Sequence, residues 1–124
     1  MEGKILIIDD DKMISDAYLM KLQKSGLIVE SIQDGKLALE KIEETEPDIV
    51  LMDVAMYPMS GLDILKALQE RPIQKRPKVV LLTNVEEQES IDAAYRLGAV
   101  DYLIKAKFTP TEVLKRVEAI LQKQ

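Results

Sequence analysis

Short apolar runs recur along this chain, each closed by acidic or turn-forming residues and each followed by a longer stretch whose apolar positions fall at helical spacing. Ile5-Leu6-Ile7-Ile8 and Ile49-Val50-Leu51-Met52 are unbroken apolar runs, the pattern of strands buried on both faces rather than on one. The pattern predicts strands near 4–8, 28–32, 48–53, 78–83 and 100–104, with helices near 12–25, 34–45, 61–70, 86–97 and 110–122. Gly26 and Gly98 follow the first and fourth helices, where a residue closing a helix takes positive φ. The last helix opens with Thr109-Pro110-Thr111-Glu112, a capping threonine, a first-turn proline and a glutamate that can reach back. Its inner stripe is Val113, Leu114, Val117, Ile120 and Leu121. Arg71 to Pro77 is a proline-punctuated loop, and no repeat, low-complexity tract or linker divides the chain.

Strict alternation of strand and helix with short connections predicts an α/β fold: a parallel sheet covered by helices on both faces, with right-handed crossovers. Open sheets of this kind bind ligands beyond the carboxyl ends of their strands. The residues at those ends are Asp9 and Asp10, Asp53, Thr83 and Lys105. Carboxylates gathered at one edge repel by roughly 4 kcal/mol per close pair at an effective dielectric near 20. A hard divalent cation offsets that repulsion, and an all-oxygen ligand set suits Mg²⁺ or Mn²⁺. With the ion and a lysine screening it, a carboxylate can act as a nucleophile toward phosphorus. The set therefore reads as a phosphoryl-transfer site, with Asp53 the acceptor and Thr83 and Lys105 taking the remaining phosphoryl oxygens. Taken singly, each residue has a plainer explanation: an aspartate caps a helix, a threonine closes a strand, a lysine solubilises a flank. Their joint occurrence at successive strand ends weakens those explanations.

Composition narrows the alternatives. The chain has 124 residues, 47% of them hydrophobic and 31% charged, which suits one domain able to close a real core. A net charge of −5 with no basic stripe argues against nucleic-acid binding by this domain. Without cysteine there is no disulfide framework or thiolate metal site, and a cytoplasmic location is compatible. Without histidine, Ser-His-Asp catalysis, imidazole ligation and a phosphohistidine carrier role are excluded. The first apolar run is too short for a signal peptide or a membrane span. A flavin or nucleotide domain would need a glycine-rich loop after the first strand, where this chain has Asp9, Asp10 and Asp11.

The strings Ile5-Leu6-Ile7-Ile8-Asp9-Asp10-Asp11, Leu51-Met52-Asp53-Val54, Met59-Ser60-Gly61-Leu62, Leu81-Leu82-Thr83 and Gly98-Ala99-Val100-Asp101-Tyr102-Leu103-Ile104-Lys105 resemble the receiver domain of bacterial two-component response regulators. The resemblance runs over nearly the whole chain, so that 1–124 reads as a single receiver domain, either free-standing or part of a longer regulator. It implies a flavodoxin-like, doubly wound sheet in the order 2-1-3-4-5. It further implies a phosphorelay role in which a sensor histidine kinase or histidine phosphotransfer protein donates a phosphoryl group. By position Asp53 matches the phosphoacceptor, Asp9 and Asp10 the acidic pair around Mg²⁺, and the carbonyl of Ala55 a backbone metal ligand. Thr83 matches the switch hydroxyl and Lys105 the phosphoryl-binding lysine. Tyr102 matches the aromatic that couples the site to the surface of helix four, strand five and helix five. That surface would control an output partner, a phosphorylation-dependent homodimer being one form of it. Such a domain catalyses only its own phosphorylation and dephosphorylation and is no enzyme with a separate substrate. Asp11 is left as a helix cap.

Three positions depart from the family. Ala106 replaces the proline that usually follows the lysine in a cis bond. A cis bond to a non-proline residue costs about 2.5–4 kcal/mol, so either the bond is trans and Lys105 is held differently, or strain resides there. Tyr57 separates Met56 from Pro58, reshaping the loop after Asp53 without changing its length to Gly61. Asn84 stands after Thr83 where the family favours a small residue, and its amide can narrow the entrance or hydrogen-bond beside the site. These departures support a competing expectation, a receiver-like scaffold that binds its partner without phosphorylation.

Overall fold

In the computed structural model, residues 2–123 are described. The chain alternates as expected: β1 (Lys4–Ile8), α1 (Lys12–Lys24), β2 (Ile28–Ile32), α2 (Ala38–Thr45), β3 (Ile49–Met52), α3 (Gly61–Glu70), β4 (Lys78–Thr83), α4 (Gln88–Arg96), β5 (Asp101–Ile104) and α5 (Pro110–Gln122). All neighbouring strands pair in parallel, in the order β2-β1-β3-β4-β5. This is the doubly wound, flavodoxin-like arrangement that the resemblance implied.

The unbroken apolar runs make sense once the two faces are separated. Successive side chains of a strand point to opposite sides. Ile5, Ile7, Ile49, Leu51, Val80 and Leu82 face one way and pack with Tyr18 and Leu22 of α1 and Val113 and Val117 of α5. Leu6, Ile8, Val50, Met52, Val79 and Leu81 face the other and pack with Ile42 of α2, Ile64, Leu65 and Leu68 of α3, and Ala94 of α4. Every residue of β1 after Lys4, and every residue of β3, is buried.

The predicted boundaries hold to within a few residues, and the differences have physical causes. The helix expected over 34–45 begins as a tight 3₁₀ turn, Gly35–Leu37, because the Asp34 carboxylate takes the Lys36 N–H and holds the chain in a short turn. The fourth helix starts at Gln88 rather than residue 86: Glu87 is extended, and Glu86 lies in the preceding loop. Asp53 falls just outside the β3 ladder, although its N–H still donates to the Ile8 carbonyl. Gly26 and Gly98 have positive φ, 96° and 102°, as their positions demanded. The capping box of α5 is formed, with Thr109 and Glu112 each accepting the other's N–H.

Candidate functional site

Register brings the acidic residues together. In the β1–β3 ladder Ile7 lies opposite Leu51 and Ile8 opposite Met52; one step further sets Asp9 opposite Asp53. Their N–H groups continue the ladders, Asp9 to the Ile32 carbonyl and Asp53 to the Ile8 carbonyl. Asp9, Asp10 and Asp53 each bring a carboxylate oxygen within 4.8 Å of the others. Asp9 and Asp53 are buried and Asp10 is exposed at the mouth. Three oxygen donors of this spacing, open to water on one side, fit a small hard cation that keeps part of its hydration shell.

Backbone groups fix the two buried carboxylates. Asp9 Oδ1 accepts the Asp11 N–H at 2.9 Å and Asp53 Oδ1 accepts the Ala55 N–H at 3.0 Å. Asp11 itself caps α1, as expected, by accepting the Ile14 N–H. The backbone around Asp53 is set by a close approach. Gly61, first residue of α3, donates its N–H to the Val54 carbonyl, and a Cβ there would fall 2.2 Å from the Asp53 carbonyl oxygen.

Lys105 crosses the end of the sheet to the remaining oxygens. Its Nζ lies 2.6 Å from Asp9 Oδ2 and 2.9 Å from Asp53 Oδ2, with all three side chains almost wholly buried. Burial alone would lower the lysine pKa, but ionic hydrogen bonds to Asp9 and Asp53 outweigh it and raise it. The Asp9 pKa also rises: burial raises it, and the bonds from Lys105 and the Asp11 N–H offset only part of that rise.

The question raised by Ala106 is answered by the backbone. Tyr57–Pro58 is the cis peptide bond among the described residues, so Lys105–Ala106 is trans. Lys105–Lys107 then form a single 3₁₀ turn, and the lysine still reaches both carboxylates. Asn84 does not close over the pocket: its side-chain carbonyl accepts the Ala106 N–H at 3.0 Å. Tyr57 is 92% exposed and covers nothing.

Thr83 is fully buried at the end of β4, where its Oγ1 accepts the Val85 N–H at 3.3 Å. Tyr102 is half-buried, and its hydroxyl donates to the Val85 carbonyl at 2.7 Å. Both residues thus engage the loop between β4 and α4. Sequence reasoning passed over Tyr18, which packs in the core, where burial raises the pKa of its hydroxyl and the charges of Lys105 and Asp9 add smaller opposing effects. Its signal was present in the core stripe Ser15, Tyr18, Leu22 of α1. Among the described residues no helix is long and apolar enough to cross a membrane.

A parallel five-stranded sheet in this order, with an acidic cluster and a lysine at its carboxyl edge, is matched by known proteins. The family model for the response regulator receiver domain covers residues 5–118, and the chain belongs to that family. It is 34% identical over 123 residues to the alkaline phosphatase synthesis transcriptional regulatory protein PhoP of Bacillus subtilis, covering 99% of this chain and 50% of that one. It is 31% identical to the DNA-binding response regulator MtrA of Mycobacterium tuberculosis, covering 99% of this chain and 52% of that one. The chain therefore spans about half the length of the curated relatives it matches. Among solved structures, the chemotaxis protein CheY4 of Vibrio cholerae superposes with a TM-score of 0.86 at 29% identity, covering 97% of this chain and 99% of that one.

Proposed function

We propose that the chain is a phosphoryl-accepting signalling domain in which Asp53 is the acceptor and a sensor histidine kinase or histidine phosphotransfer protein is the donor, working in the cytoplasm. The observation that carries the reading is the convergence of Asp9, Asp10 and Asp53 within 4.8 Å, with Lys105 bonded to two of them. Asp9, Asp10 and Asp53, with the carbonyl of Ala55, would hold Mg²⁺, or Mn²⁺ in its place. When bound, the ion screens the anions and polarises the phosphoryl oxygens.

The chain's own groups do the rest. Asp53 Oδ1 is turned by the Ala55 N–H. Its Oδ2 is free to attack once Lys105 shifts from the carboxylate to the incoming phosphoryl oxygens. The Asp53 oxygen–phosphorus bond forms as the bond from phosphorus to the donor nitrogen breaks, and the donor imidazole leaves. The new dianion then competes for the Thr83 hydroxyl, which now accepts from Val85. That competition moves the loop that Tyr102 also holds, and so changes the surface of α4, β5 and α5 that an output partner or a second copy would read. The domain would catalyse only its own modification and its reversal.

Acetyl phosphate with Mg²⁺ tests the reading: a mass gain of one phosphoryl group is expected, and it should vanish in Asp53→Asn. A second reading, a scaffold that binds without phosphorylation, is favoured by the pocket's internal compensation, since no buried side-chain polar atom among the described residues lacks a partner. Absence of any mass gain in the parent chain would select it.

A further inference from the structure

We infer that Asn84 is a positioning residue for Lys105, acting through the backbone of Ala106; the inference rests on the reading of the acidic pocket given above. The first N–H groups of a helical turn have no partner within it and must find one elsewhere. The turn Lys105–Lys107 has no capping side chain of its own, since Ile104 precedes it. Asn84 supplies the missing acceptor from the end of the adjacent strand, its Oδ1 lying 3.0 Å from the Ala106 nitrogen.

Placement makes this bond consequential. Thr83 lies opposite Ile104 in the β4–β5 ladder, so Asn84 and Lys105 are the next residues along adjacent strands. The bond ties the end of β4 to the turn that aims the lysine, 22 residues further along the chain. It exists only because residue 106 carries an N–H, which a proline could not offer. Asn84 and Ala106 are thus two halves of one arrangement. With the Lys105–Ala106 bond trans, the lysine needs its turn anchored if its ammonium is to stay within 2.9 Å of both Asp9 and Asp53. An exposed amide that touches neither carboxylate in this structure therefore sets how firmly the pocket's one cation is held.

Holding Lys105 in place has opposite effects on two measurable quantities. A fixed ammonium between the carboxylates opposes a second cation, whereas the same fixed ammonium is needed to meet an incoming phosphoryl group. Asn84→Ala should therefore tighten Mg²⁺ binding by roughly threefold and slow phosphorylation from acetyl phosphate by roughly threefold to tenfold, the scale of one hydrogen bond. General loosening of the site would weaken both. In a Lys105→Met background, Asn84→Ala should leave Mg²⁺ affinity unchanged, because the group it positions is gone. If Lys105→Met does not fold, Lys105→Gln, neutral but still a donor, takes its place. Calorimetric Mg²⁺ titration of the four proteins decides the matter. Parallel losses of both quantities, no change in either, or an undiminished Asn84→Ala effect without Lys105 would each overturn the inference. If the parent chain accepts no phosphoryl group, the acceptor reading fails, while the Mg²⁺ cycle still decides the role of Asn84.

Discussion

Lys105 carries more of this site than any other single side chain, because its ammonium pairs with both buried carboxylates, Asp9 and Asp53. Removing one partner of a buried ionic cluster costs about 3–5 kcal/mol, since the other charges are left uncompensated. Lys105→Met is expected to lose about 3 kcal/mol of stability in magnesium-free buffer. Saturating Mg²⁺ should narrow the gap to the parent by the ratio of the two affinities, about 1.4 kcal/mol if the variant, freed of the competing ammonium, binds the ion tenfold tighter. Denaturant unfolding with and without Mg²⁺ would check it, and equal loss under both conditions would contradict the arrangement. Gly61 acts through backbone alone. A methyl group there meets the Asp53 carbonyl oxygen at 2.2 Å, so Gly61→Ala should cost about 2 kcal/mol and lower the melting temperature by roughly 5–10 °C. The carboxylates were legible in the sequence because each ends an unbroken apolar run. The bond from Ala106 to Asn84 was not, since it depends on a trans peptide and a turn that no residue pattern announces.

Between elements, strand starts are stitched as deliberately as strand ends. Asp48 precedes β3, and its carboxylate accepts the Lys4 N–H at 2.8 Å and pairs with Lys75 Nζ at 2.8 Å, joining β1 and β3 to the loop before β4. Burial would raise the Asp48 pKa, but the bonds from Lys75 and Lys4 outweigh it and hold the carboxyl below its ordinary 3.8. A depressed folded-state pKa stabilises the fold above the unfolded value and ceases to do so as pH falls through the folded one. Asp48→Asn should therefore cost about 1 kcal/mol at neutral pH, with the difference from the parent shrinking below about pH 4. A difference that stayed constant down to pH 2 would remove the charge from the explanation. The elements themselves were readable from periodicity and caps, as Thr109 and Glu112 show by forming their reciprocal bonds. The start of α4 was not. Glu86, Glu87 and Glu89 look like one acidic first turn, yet only Glu89 occupies it: Glu87 precedes the helix without capping it, and the loop before it is held by Tyr102.

Across the whole molecule, the parallel register sets every strand end at one edge, and the loop between β4 and α4 is the place where that edge meets the outer face. Val85 receives both contacts: its N–H donates to Thr83 inside the site, and its carbonyl accepts from the Tyr102 hydroxyl of β5. Each is a single hydrogen bond contributing about 1 kcal/mol, small enough for a new charge at Asp53 to redistribute and large enough to bias a two-state loop several-fold. Tyr102→Phe deletes one contact without touching the carboxylates. It should speed hydrogen exchange at the Val85, Glu86 and Glu87 amides by roughly fivefold and leave Mg²⁺ affinity where it was. Unchanged exchange would mean that the hydroxyl does not hold the loop. A shift in Mg²⁺ affinity would mean that loop and pocket are not separable, so that the outer face reports on metal binding.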